Sequence, residues 1–133
     1  MSSITFGYLI LYVDDVLGTL QAWETALGLK RRYVHEDGNY AEFGTGDTVI
    51  SLAETGFGRD HFTDDATRAM FDRKPSRFEV GFTVQDVQVA FDHAVANGMT
   101  PVVAPVTKPW GQVVGWVSDA NGILIEFGST MEE

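Results

Sequence analysis

With 133 residues, 44% of them hydrophobic, the chain is sized for one folded domain with its own core and is too apolar for disorder to be the default. It has no cysteine, which excludes disulfides, thiol nucleophiles and cysteine-held zinc and fits a reducing compartment. The formal charge of −10 is spread along the whole length and repels phosphate backbones, so nucleic-acid binding is not expected.

The start, Met1-Ser2-Ser3-Ile4, has no basic, apolar leader, and no segment approaches the roughly 20 apolar residues that span a bilayer. The expectation is a cytoplasmic protein without a membrane partner. The acidic field mildly favours cationic ligands, although solubility alone accounts for it.

Phe6 to Val16 reads FGYLILYVDDV, an apolar, aromatic run that suits a buried strand. It ends on Asp15, placed as a helix N-cap. Val16, Leu20, Trp23 and Leu27 then fall on one helical stripe, and Gly28 is a stop. Three strand candidates follow: Arg31–His35, Tyr40–Phe43 and Thr48–Ala53, broken by Asp37-Gly38 and Gly44–Asp47.

Residues 54–76 form a long connector, predicted to carry structure or function of its own. Thr63 to Asp72 suits a short helix capped by Thr63 or Asp64. Gly56, Phe57, Gly58, His61 and Phe62 suit a flap over a pocket, against the plainer reading of a packed connector.

From residue 77 the pattern returns. Phe78 to Val87 reads FEVGFTVQDV and aligns with the first strand at an offset of 71, so Asp86 matches Asp15. Val87, Phe91 and Val95 form a helical stripe that ends before Gly98. Strand candidates are then Pro101–Val103, Gln112–Val117 and Ile123–Phe127. Each half reads βαβββ and buries little alone. The prediction is one α+β domain over residues 1–133, with modules 1–53 and 77–133 and connector 54–76.

Two such modules, each with a V-x-D-V strand end entering a helix that stops at Gly, resemble the vicinal-oxygen-chelate superfamily. So do Trp23 to Leu29 (WETALGL), Pro109-Trp110-Gly111 and Asp119 to Phe127 (DANGILIEF). That group includes glyoxalase I, extradiol dioxygenases, epimerases and bleomycin-resistance proteins. The resemblance implies a curved mixed sheet around a cavity, helices on the outer side, and a homodimer.

The superfamily's metal enzymes place ligands on the first and last strands of each module. By register those places are Tyr8, Ser51 (to within one residue), Glu79 and Glu126. The family pattern there is mostly His or Gln plus Glu. No histidine falls at any of the four, and zinc, nickel and ferrous iron favour imidazole-containing sites. The usual metal site is expected to be broken and no cofactor is expected. The alternative is a divalent metal ion held weakly by Glu79 and Glu126. His35 reads as a turn residue and His93 as a solvated helix residue, which leaves His61 as the histidine with access to a cavity.

If Glu79 and Glu126 share one face, their repulsion should raise the pKa of one. They could then serve as a latent acid/base pair, bind a cationic ligand, or be neutralised by Arg59 or Arg68. Aromatic walls come from Tyr8, Tyr12, Tyr40, Trp110 and Trp116, with ordinary core filling as the plainer reading. The expected function is small-molecule binding, of a cationic or aromatic ligand, by these residues with Ser51, His61, Glu79 and Glu126. The alternative is a divalent-metal-dependent lyase, isomerase or dioxygenase with Glu79 and Glu126 as its catalytic carboxylates. No nucleophile elbow, H-E-x-x-H or phosphate loop is present.

Overall fold

The computed structural model describes residues 3–75 and 77–130. Contacts divide the chain into two compact units, residues 1–24 with 28–73, and residues 25–27 with 74–133. The fold is α+β, with one four-stranded mixed sheet in each unit.

In the first unit, β1 (Tyr8–Val13) runs parallel to β4 (Thr48–Glu54). β3 (Tyr40–Thr45) and β2 (Lys30–Val34) follow antiparallel, giving the order β1-β4-β3-β2. Helix α1 (Val16–Leu27) crosses between β1 and β2. Asp15 caps it, its side chain accepting from Gly18 N–H at 2.9 Å. Gly28 ends it at φ 71°, a left-handed conformation that glycine adopts without a Cβ clash.

The predicted stripe of α1 is buried at Val16, Leu20 and Trp23, while Leu27 is half-exposed. Trp23 stacks on Phe43 with ring centroids 5.8 Å apart and planes 10° from parallel, which ties the helix to the sheet. Leu11, Val13, Ala41, Ile50 and Leu52 complete this core.

The connector belongs to the first unit. Its second half forms α3 (Asp65–Met70), capped by Asp64 as its sequence suggests. Its first half forms a helix that the sequence does not announce, α2 (Thr55–Arg59). Gly56 and Gly58 disfavour a helix on propensity, but Glu54 caps this one by accepting from Phe57 N–H at 2.7 Å. Gly58 also leaves room for the rings of Tyr12 and Phe71.

The second unit repeats the plan. β5 (Val80–Thr83) runs parallel to β8 (Leu124–Gly128), with β7 (Val113–Ser118) and β6 (Thr100–Thr107) antiparallel beyond it. Helix α4 (Val87–Ala96), capped by Asp86, packs on β6, β7 and β8. Its buried residues are Val87, Phe91 and Ala94, with Val95 half-exposed.

β6 is longer than the predicted Pro101–Val103. Pro101 and Pro105 read as strand breakers, yet an edge strand needs only one side of its ladder, and the register slips between Pro101 and Val106 absorb them. Among the described residues no helix is long and apolar enough to cross a membrane.

Candidate functional site

Strand register gives the two sheets matching positions. In the first unit Ser51 pairs with Ile10 on one side and Glu42 on the other. In the second, Glu126 pairs with Gly81 and Trp116. Ile10 and Gly81 are separated by the repeat offset of 71, so Ser51 and Glu126 occupy equivalent places, as do Tyr8 and Glu79.

In the second unit, side chains alternate across the pleat. Val80, Val117, Ile125 and Phe127 are buried. The other face presents Glu126, Trp116 and Gly81, with Glu79 just before β5. The carboxyl groups of Glu79 and Glu126 lie within hydrogen-bonding reach of each other. Burial raises the Glu126 pKa first, and the hydrogen bond to Glu79 and the repulsion of its charge raise it further; the Lys108 ammonium acts in the opposite direction. Glu126 therefore keeps its proton to higher pH than an ordinary glutamate does.

Trp116 completes the cluster. Its indole Nε1–H donates to Glu79 Oε2 at 2.9 Å, fixing that carboxylate beside the ring. The Lys108 Nζ lies 5.6 Å from the Trp116 ring centroid, within the range of a cation–π contact. At the tip of the β6–β7 hairpin, Trp110 is 61% exposed and donates to Gln112 Oε1 at 3.0 Å. Glu79 is exposed, whereas Glu126, Trp116 and Lys108 are partly covered.

The first unit places its candidates differently. Ser51 is fully buried, and its hydroxyl meets the Tyr40 hydroxyl at 2.9 Å. Tyr40 in turn donates to Glu42 Oε2 at 2.6 Å, and Arg32 sits 3.6 Å from the other oxygen of Glu42. Burial, followed by the hydrogen bond to Glu42, raises the Tyr40 phenol above its ordinary value. Ser51 thus supports Tyr40 and offers a ligand no surface of its own, which corrects its expected role as a direct contact.

Tyr8 is well exposed on β1. Tyr12 packs edge-on against Phe71, centroids 4.9 Å apart, so the connector covers part of a ring expected to face a ligand. His61 is exposed and stands edge-on to Phe57, centroids 5.1 Å apart.

Arg59 and Arg68 both find partners within the connector. Arg59 pairs with Asp72 at 2.8 Å, and Arg68 reaches the carbonyls of Arg59 and Phe62. Both arginines fold the connector onto itself. The cation beside the carboxyl pair is Lys108, which the sequence reading missed. Its only signal was membership of Lys108-Pro109-Trp110-Gly111, a turn that sends the chain back toward Trp116. Glu42 was also missed, although the spacing Tyr40-x-Glu42 puts the two on one strand face.

A cleft of about 340 Å³ lies in the second unit, its lining including Gln85, Asp86, Val106, Thr107, Val113 and Ser129. Asp86 is used in capping α4, and the Ser129 hydroxyl accepts from Val113 N–H, so its polar groups are largely spoken for. The chemistry concentrates at Glu79 and Glu126.

Two carboxyl groups without an imidazole are a poor match to the donor sets of zinc or ferrous iron. Among the described residues no three His, Cys, Asp or Glu side chains gather into a group able to hold a metal ion.

The family model described as "Glyoxalase/Bleomycin resistance protein/Dioxygenase superfamily" matches residues 5–127. No curated protein is similar enough in sequence to count as a match. Among solved structures, a glyoxalase-related enzyme from Fulvimarina pelagi superposes with a TM-score of 0.79 at 13% identity, over 95% of this chain and 88% of that one. A glyoxalase/bleomycin resistance protein/dioxygenase from Nocardioides gives 0.72 at 19% identity, over 99% and 87%. A superfamily member from Sphaerobacter thermophilus gives 0.73 at 19%, over 96% and 98%. At these identities the structural likeness establishes the fold alone.

Proposed function

The chain belongs to the glyoxalase/bleomycin resistance protein/dioxygenase superfamily, and from that premise we propose that it binds a small cationic or aromatic molecule without a resident metal. The observation that carries this reading is the indole of Trp116 hydrogen-bonded to Glu79 and paired across the strands with Glu126. An aromatic face next to paired carboxylates attracts a cation through the ring quadrupole and through formal charge at once. Trp110 supplies a second exposed aromatic surface in the same unit. Tyr8, Tyr40 and His61 are proposed as ligand contacts of the first unit by itself. By family analogy the working form is a homodimer in the cytoplasm, which sedimentation of the purified protein and fractionation of cells test.

Tryptophan fluorescence titrated with benzyltrimethylammonium, and separately with bleomycin, tests the binding. Saturable quenching with a Kd below about 1 mM, equivalent to about −4 kcal/mol, is expected. It should be lost in Glu126→Gln. An unresponsive wild-type protein would defeat the reading.

The second reading is a divalent-metal-dependent lyase, isomerase or dioxygenase. One observation favours it: two neighbouring carboxyl groups supply the hard oxygen donors that Mg²⁺ and Mn²⁺ prefer. Stoichiometric Mn²⁺ binding that Glu126→Gln abolishes would replace the first reading with this one.

A further inference from the structure

We propose that Lys108 is a built-in occupant of the cation seat formed by Trp116 and the Glu79–Glu126 pair, and that an incoming ligand must displace it. The inference rests on the ligand-binding reading above and adds a residue that controls its affinity.

The Lys108 ammonium lies over the Trp116 ring, 5.6 Å from its centroid, where a ligand cation would gain most from the aromatic face. Its backbone is fixed. Lys108 N–H donates to Gln112 C=O at 2.8 Å, Gly111 N–H donates back to Lys108 C=O at 2.8 Å, and Gly111 takes the positive φ of 93° that closes the turn. The side chain is not locked in the same way. Among the described residues Lys108 makes no ion pair within 4 Å, so four rotatable bonds let the ammonium swing away while the hairpin stays in place. The Lys108 charge also acts on Glu126, against the burial and the Glu79 charge that raise its pKa.

Residues 77–133 contain only one other lysine or arginine, Arg77. Lys108 is thus an internal stand-in for the class of molecule the site attracts. It lowers the cost of holding two carboxyl groups together in the empty site, and competes with weakly bound cations.

The test measures benzyltrimethylammonium binding by tryptophan fluorescence in wild type, Lys108→Met, Lys108→Arg and Glu126→Gln, with urea midpoints confirming that each is folded. Lys108→Met keeps an unbranched, flexible stem, one atom shorter, and removes the charge. It should bind about fivefold tighter, the effect of releasing one exposed cation–π contact. Lys108→Arg, which can still cover the ring, should stay near wild type. The gain should persist at about 0.15 M salt, where screening acts beyond about 8 Å and so spares a contact at 5.6 Å.

Equal or weaker binding by Lys108→Met overturns the proposal. So does a gain present at about 0.01 M salt but gone at about 0.15 M, which would mean a diffuse field and no occupied seat. If wild type binds and Glu126→Gln does not, yet Lys108→Met matches wild type, only the role of Lys108 falls. If no variant binds, the ligand-binding reading falls, and the proposal falls with it.

Discussion

Trp116 donates its indole N–H to Glu79 across 37 residues of sequence at 2.9 Å, while standing directly opposite Glu126 in the β7–β8 ladder. One aromatic side chain is therefore bonded to one half of the carboxyl pair and is the cross-strand neighbour of the other, and its emission should report on whatever binds there. Trp116→Phe is expected to abolish most ligand-induced quenching, whereas Trp110→Phe should keep most of it. Equal losses in the two variants would place the ligand at the hairpin tip.

The carboxyl pair sets a pH dependence. Folding raises the Glu126 pKa above its ordinary value of 4.5, so the folded chain holds a proton that the unfolded chain has already released. The stabilisation from that proton is complete below 4.5 and is lost as pH rises through the folded value. Glu126→Gln removes this titration and the repulsion from Glu79. Its urea midpoint should decline less than that of wild type as pH rises from the ordinary value toward neutrality. Parallel profiles would show that the two carboxyl groups do not interact.

Trp23 and Phe43 are both fully buried and stacked, and they join α1 to its sheet. Trp23→Ala should cost about 3–5 kcal/mol in chemical denaturation, because the first unit cannot refill the cavity without moving the helix. A cost under about 1 kcal/mol would mean that α1 is held by other contacts.

Gly58 in α2 has no room for a side chain: an added Cβ would collide with the rings of Tyr12 and Phe71. Gly58→Ala should destabilise the protein by about 1–3 kcal/mol through overpacking, against the usual gain of alanine over glycine in a helix. A stabilised variant, read from the same denaturation curves, would show that the connector is loosely seated on β1.

Much of the fold was legible because its signals are local. The aspartates at positions 15 and 86 cap helices, Gly28 ends one, and alternating apolar residues mark most strands to within one or two residues. α2 and the full length of β6 were not legible. Propensity argues against both, and packing under Tyr12 and an edge position with bulges override it.

By itself, then, the sequence determined a doubled βαβββ plan and the residue types at its repeated positions, since strand alternation and helix periodicity are written in short windows. Only the tertiary structure decided which charges meet. It committed Arg59 and Arg68 to the connector, buried Ser51 against Tyr40, and brought Lys108 over Trp116 beside Glu79 and Glu126. Such pairings depend on where distant strands align and which way a long flexible side chain turns, and no local pattern encodes either.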